Sequence, residues 1–509
     1  MSFLYKTLLW VALTGLLTSC GIYKAYQRPQ DIDAPGQYRT DGLKQAVSGS
    51  EERLFDPNHL GYMDWQDMFP DPKLQALIQR GLDSSFDLRE AVLQLRQMQA
   101  RLAQARLAFT PGLNISGSES YSGIVNFSDP ANSFAAGASA DWEIDIFGKL
   151  LNAKRGAVAG LLQSEAARRS VQAQLISSIA TAYYSLLMLD RQLEISEQTV
   201  LNWQASIRVM EALKQAGDYN QAAIEQAKAN SLAVEAAIPD LKRQIRELEN
   251  SLSLLVGMEG QSISRNRLED QRLPVNISTG IPSQMFLNRP DIMQAEARLM
   301  AAYANTAAAR AAFLPGFRLS ANGSWTNAVG SVILDPARFV WNAVASLALP
   351  VFNMGANRAN LRVANAQQES AANSFKKTLL SAANEISNAM FLYQTAAEKV
   401  NFRSAQVESL EKAVSYTTQL MRLGNTYLEV LTAQQSLLQA QLAQISAEYE
   451  KMSAVVTLYR ALGGGAQTEI AGIDLSNYNK PKSVRKRTKA IEKEVKEQEK
   501  AERKAARRK

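Results

Sequence analysis

Four stretches of the chain alternate with a period of two. In 134–145 one face would carry Phe134, Ala136, Ala138, Ala140, Trp142 and Ile144, and the other Ser139, Asp141, Glu143 and Asp145. In 317–325 Phe317, Leu319, Ala321, Gly323 and Trp325 oppose Arg318, Ser320, Asn322 and Ser324. In 339–349 Phe339, Trp341, Ala343, Ala345, Leu347 and Leu349 form the apolar face, although Val340, Val344 and Ala348 fall on the other. The pattern in 113–121 is weaker, because Glu119 shares a face with Leu113 and Ile115. Period-two patterning predicts strands with unlike faces. Segments of about 9–12 residues suit tilted strands crossing a bilayer, and aromatic residues at several ends suit interfacial girdles. A soluble sheet with one wet face has the same pattern.

Elsewhere the period is that of a helix. Leu175, Ile179, Ala182, Leu186, Leu189, Leu193, Ser196, Val200, Trp203, Ile207 and Met210 step by fours and threes, as a coiled-coil seam does. Leu379, Ala383, Ile386, Met390, Tyr393, Ala397, Val400, Ser404, Val407, Glu411 and Val414 repeat the seam. A helix over 150–216 would be about 100 Å long, too long for the inside of one globular domain. It predicts a rod or the wall of a tube.

The two seams belong to a larger repeat. The run from Ala105 to Gly112 returns from Ala309 to Gly316, and Leu255-Val256-Gly257 returns as Ala461-Leu462-Gly463. Each half has a helix ended by Pro-Gly, two alternating segments, a long helix to a glycine (Gly217 or Gly424) and a return helix to a second glycine. Four strands cannot close a barrel, and lipid does not tolerate open strand edges. Either several chains share one barrel, with Asp141, Glu143 and Asp145 facing a polar lumen, or the strands lie outside the membrane.

Composition narrows the chemistry. With one Cys and one His in 509 residues, an intrachain disulfide is excluded and a His-based metal site or triad is improbable. No nucleophile–base pair, phosphate loop or cofactor motif stands out, so an enzyme is not expected. The net charge of +7 suggests nucleic acid at first. It is concentrated in 480–509, which holds 14 Lys and Arg against 5 acids, and the remaining body is slightly acidic. No nucleic-acid partner is expected. The tail has almost no apolar stripe and reads as a solvated segment.

The first twenty residues read as an export signal: Lys6, a short apolar stretch over 8–17, then Leu17-Thr18-Ser19-Cys20. Small residues before the sole cysteine are similar to a bacterial lipobox, in which Cys20 would be acylated and become the lipid anchor.

Several separated motifs carry a family resemblance. Gly424-Asn425-Thr426-Tyr427-Leu428-Glu429-Val430-Leu431 is one, and Arg289-Pro290-Asp291-Ile292 with Ala295-Glu296 is another. Ala237-Ile238-Pro239 with Glu249-Asn250, and Trp65 with Phe69-Pro70-Asp71-Pro72, complete the set. Over about residues 60–465 the chain resembles the TolC-type outer-membrane factor family, in its NodT-like lipoprotein branch. The resemblance implies a mostly α fold with a β-barrel part, in which three chains share a 12-stranded barrel standing on a long α-barrel. It implies a passive exit duct for drugs or other small molecules in the Gram-negative outer membrane. The partners would be outer-membrane lipid, two further copies, a periplasmic adaptor and an inner-membrane, ion-motive pump. The adaptor would dock at tips formed by Gly217, Asp218, Tyr219, Gly424, Asn425 and Thr426. Arg289, Pro290 and Asp291 read as a structural helix start. The family's acidic ring near the second tip has no counterpart in 414–423. A lipid-anchored coiled-coil scaffold and a type I secretion duct are the alternatives.

The expected layout begins with a signal peptide at 1–19, an extended linker at 20–59 and first-half helices at 60–112. A strand pair at 113–146 precedes the long helix, tip and return helix at 147–286. The second half runs as a start helix at 287–316, a strand pair at 317–351 and the long helix, tip and return helix at 352–465. A linker at 466–479 leads to the basic tail at 480–509.

Overall fold

The computed structural model describes residues 26–28, 60–61, 63–122, 131–215, 220–273, 289–328, 339–422 and 427–466. The first half opens with α1 (Trp65–Met68), α2 (Pro72–Ser84) and α3 (Phe86–Leu107). Strands β1 (Gly112–Ser122) and β2 (Ala131–Ile144) precede the long α4 (Lys149–Gln215) and the return helix α5 (Gln221–Leu255). The second half has α6 (Pro290–Ala311), β3 (Gly316–Ala328), β4 (Phe339–Ala348), α7 (Ala356–Arg422) and α8 (Tyr427–Ala461). Helix lengths match across the halves: 22 residues for α3 and α6, 67 for α4 and α7, and 35 for α5 and α8.

The helix ends follow local chemistry. Asp71 caps α2 by accepting from the Lys73 amide at 2.9 Å, and Pro72 takes the first turn, where its missing N–H costs nothing. Gly257 (φ 68°) and Gly463 (φ 86°) end the return helices in the left-handed conformation. Behind each, the next amide reaches back into the last turn: Met258 N–H to Ser253 O at 2.8 Å and Gly464 N–H to Tyr459 O at 2.9 Å.

α4 organises the packing. It lies between α3 and α6, and α6 lies between α4 and α7. Further along α4, the neighbours are α5 on one side and α8 on the other, with α8 leading on to α7. The margins of this helical layer are therefore α3 and α5 on one side and α7 on the other. The α4 seam residues Leu175, Ile179, Leu186, Leu189, Val200, Trp203 and Met210 are buried, as the fours-and-threes spacing predicts. In α7, Leu379, Ala383, Ile386, Met390 and Val407 are buried, whereas Glu411 is exposed.

The strands form one antiparallel sheet in the order β1-β2-β3-β4. Among the described residues it leaves β1 and β4 as open edges.

Candidate functional site

The register brings every apolar face to the same side of the sheet. Ile115 pairs with Ala138, Ala138 with Gly323 and Gly323 with Trp341; two residues along, Leu113, Ala140, Ala321 and Ala343 form the next row. A one-residue slip in any pair would move that strand's apolar set to the opposite side. Large side chains on this face are open to the surroundings: Ile115 is 87% exposed, Leu113 84% and Trp341 71%. Among the described residues no helix covers the face. Glu119 lies on it beside Phe134, in hydrogen-bond contact with the Tyr121 hydroxyl near the outer end of β1. The Phe339 ring lies over Gly323 and packs on Trp325 at 4.6 Å between centroids, filling space that a side chain at Gly323 would need.

The other face is mostly polar, with Ser139, Asp141, Glu143, Arg318, Ser320 and Asn322, but β4 also sets Val340 and Val344 on it. Asp141 is exposed and lies opposite Gly112 on one side and Ser320 on the other. Glu143 lies opposite Arg318 and its carboxylate takes Lys149 Nζ at 2.9 Å. Asp145 departs from the period-two expectation. The strand ends at Ile144, and the Asp145 carboxylate accepts the amides of Leu150 and Leu151 at 3.0 and 2.7 Å. Three or four otherwise unpaired amides at a helix start demand such a partner, so Asp145 serves α4 and not the strand face.

At the opposite end of α4, Trp203, Met210, Ile224, Ala227 and Leu431 form an apolar knot joining α4, α5 and α8. Asn220 caps α5 by accepting from the Ala222 amide at 3.0 Å. The expected tip residues Gly217, Asp218, Tyr219, Gly424, Asn425 and Thr426 lie outside the described residues, as do Cys20 and the tail 480–509.

Arg289, Pro290 and Asp291 do begin a helix, with Pro290 at its first position. Arg289 does more than the sequence suggests. Its guanidinium grips Asp291 with two hydrogen bonds at 3.0 and 2.8 Å, pairs with Glu385 of α7, and donates to the Ala461 carbonyl at the end of α8. Burial works against the Arg289 charge, but Asp291 and then Glu385 outweigh it and hold the group above its ordinary pKa. Arg460 adds a second guanidinium to Glu385 at 2.9 Å.

Two further polar hubs escape sequence reasoning. Buried Asp71 accepts from the Tyr183 hydroxyl at 2.7 Å, Asn266 at 2.9 Å and Gln271 at 2.8 Å, fastening the segment after α5 to α2 and α4. Burial raises the Tyr183 pKa, so its hydroxyl keeps the proton that it donates. Arg265 pairs with Asp190 and Glu249 beside it. Near residue 28, Arg28 pairs with Glu296 and stacks 5.6 Å from the Phe375 ring centre. Asp71 and Glu249 stand within the sequence motifs, yet no spacing rule connects them to partners more than a hundred residues away or in an irregular segment.

No described helix is long and apolar enough to cross a membrane, which leaves the sheet question untouched. Comparison with known proteins bears on it. The family model for outer membrane efflux proteins matches residues 77–258 and again 281–464, once per half. The cation efflux system protein CusC of Escherichia coli O6:H1 is 31% identical over 460 residues, spanning 89% of this chain and 97% of CusC. The pyoverdine export outer membrane protein OpmQ of Pseudomonas putida is 33% identical over 420 residues, spanning 80% of this chain and 88% of OpmQ. A crystal structure of CusC superimposes with a TM-score of 0.78 at 29% identity, covering 87% of this chain and 99% of its own. The open state of the Neisseria gonorrhoeae MtrE outer membrane channel does so with 0.77 at 25% identity, covering 87% and 98%.

Proposed function

The chain belongs to the outer membrane efflux protein family, and from that premise we propose how its parts are used. It is an outer-membrane channel of a tripartite efflux system in the Gram-negative envelope. The observation that carries the finer reading is the sheet, which among the described residues has four strands, one uncovered apolar face and two open edges.

Lipid has no hydrogen-bond donors or acceptors to offer a strand edge, so both edges must be paired by other copies. β4 of one copy joins β1 of the next. The same rotation sets the α7 margin against the neighbour's α3 and α5, a head-to-tail contact that closes into a ring. Two copies would give eight strands, and a barrel of about that size is filled by its own side chains. Three copies give twelve and leave a water path. The apolar face meets lipid, and the face with Asp141 and Glu143 lines the lumen.

The working assembly is thus a homotrimer whose barrel is open to the outside and whose helices form the periplasmic conduit. Cys20 carries the lipid that holds each copy to the membrane, by about 0.8 kcal/mol per buried methylene. Gly217, Asp218 and Tyr219, with Gly424, Asn425 and Thr426, receive a periplasmic adaptor that links the duct to an ion-motive inner-membrane pump. Energy and cargo selection then belong to the pump, and this chain passes drugs or other small molecules. The names of relatives, one cation efflux and one pyoverdine export, fit a duct used for unlike cargo.

Light scattering on full-length protein purified in detergent, with unheated and heated gel samples, tests the assembly. A trimeric mass and a band that dissociates only on heating are expected. A monomer that stays dispersed without detergent overturns the reading.

A further inference from the structure

The charges of the polar sheet face are gathered at one end. Asp141 and Glu143 fall in the last four positions of β2, and Arg318 is the third residue of β3, all close in sequence to the helices. From there outward, the same-face positions of the four strands are Ser, Asn, Thr, Gly, Ala and Val, without a charge.

The acids at this end stand near cations. Glu143 stands directly across from Arg318, and Asp141 one pair further along the same face, across from Ser320. Same-face diagonal neighbours are about 7–8 Å apart at Cα, within reach of a guanidinium on a three-methylene stem. Glu143 also holds Lys149 at 2.9 Å. Asp145, which the sequence pattern groups with these acids, commits its carboxylate to the amides of α4. Asp145 keeps its charge but sets it against the positive end of α4, which leaves Asp141 and Glu143 with Arg318 and Lys149.

We propose that Asp141, Glu143, Arg318 and Lys149 form a charge-balanced belt at the base of the barrel lumen, that Arg318 is the residue that balances it, and that the barrel consequently does not sort solutes by charge. The belt rests on the reading that the polar face lines the lumen. Around a ring of copies, any charge left unmatched is repeated at the same height, and low-dielectric walls concentrate its field in the water path. Removing Arg318 would turn the belt into a cation-attracting ring. Removing Asp141 would turn it into an anion-attracting one.

Thiol labelling from outside the cell measures the potential at the belt itself, independently of narrower points elsewhere. S320C reports from the polar face beside Asp141, and L319C from the apolar face. Both are made in the full-length chain and exposed to membrane-impermeant thiosulfonates, one cationic and one anionic. S320C is expected to react with both reagents at a rate ratio close to that of a free thiol in solution, and L319C with neither. Adding Arg318→Gln to S320C should raise the cationic-to-anionic rate ratio by about three- to tenfold, and adding Asp141→Asn should lower it similarly. Heat-labile trimers on gels confirm that each variant is assembled. If S320C reacts but neither substitution moves the ratio, the belt is overturned while the lumen reading stands. If L319C reacts and S320C does not, the lumen reading fails and the belt falls with it.

Discussion

α4 and α7 are the same helix written twice, each 67 residues long, yet they fill one stretch of their buried side in opposite ways. In α4, Arg168 grips Glu165 with two hydrogen bonds at 3.0 and 2.9 Å and donates to Gln172 at 2.9 Å; Gln172 in turn donates to the Gly465 carbonyl at 2.9 Å. Counting from the first residue of each helix, the matching positions in α7 are Ala372, Phe375 and Leu379, and the last two are buried. One half uses a buried polar thread and the other an apolar plug. Replacing a buried ion pair by apolar side chains of similar volume is commonly neutral or stabilising, so the thread is weak evidence of added stability. What it supplies is an address. It ends on a carbonyl in the cap of the other half, whereas Phe375 packs against whatever apolar or cationic surface is near, including Arg28.

The comparison is broken most strongly by removing one partner of the thread. Arg168→Ala leaves the Glu165 carboxylate buried, with only half-exposed Arg169 beside it, and should cost about 3–5 kcal/mol, read from the thermal transition of the detergent-solubilised protein. Next come the glycine caps. Gly257→Ala forces a left-handed residue and sets its Cβ 2.5 Å from the Ser84 carbonyl oxygen, for about 2–4 kcal/mol in the same measurement. Gly463→Ala, which meets the same left-handed conformational cost, should cost about 1–2 kcal/mol. Arg289→Lys keeps the charge but loses the fork that spans Asp291, Glu385 and the Ala461 carbonyl. Because those carboxylates are partly exposed, the expected loss is about 1–2 kcal/mol.

The smallest expected effect is the most informative. Writing the α7 residues into α4, as Glu165→Ala with Arg168→Phe and Gln172→Leu, should change stability at neutral pH by about 1 kcal/mol or less. Its pH dependence should differ. Burial alone would raise the Glu165 pKa, but Arg168 and then Arg169 bring it below the ordinary value of 4.5. Its contribution is therefore complete above that value and is lost as pH falls through the lower folded value. Thermal transitions between about pH 6 and pH 3 should show the natural protein losing this increment and the triple variant keeping a flatter profile. Parallel profiles would mean that the thread does not titrate as its partners require.

Much of this architecture was legible in the residues because it rests on period and repetition. The four alternating segments are β1 to β4 within a few residues at each end, and the 150–216 helix is α4 displaced by one. Even Glu119, the odd member of its face, sits on the apolar side as the alternation requires. Asp145 was misplaced because alternation continues in the letters after the strand has ended; the amides of α4 claim it instead. The Arg289 clamp, the Asp71 hub and the Arg168 thread were not legible. Each depends on which distant carbonyl or carboxylate the packing brings near, and a helix pattern records only that a position faces inward. The sole signal was that a charged residue occupied such a position.

The unlike margins have a genetic consequence. In the proposed ring, where every joint sets the β4 and α7 margin of one copy against the β1, α3 and α5 margin of another, a single faulty copy interrupts the whole. If a cell made altered and unaltered chains in equal amounts and they mixed freely, roughly one three-copy ring in eight would be free of the fault. Alleles damaged at a margin should therefore behave as dominant, silencing most of the ducts built from the good copy. Alleles that prevent the chain from folding at all should be recessive, because such chains never enter a ring.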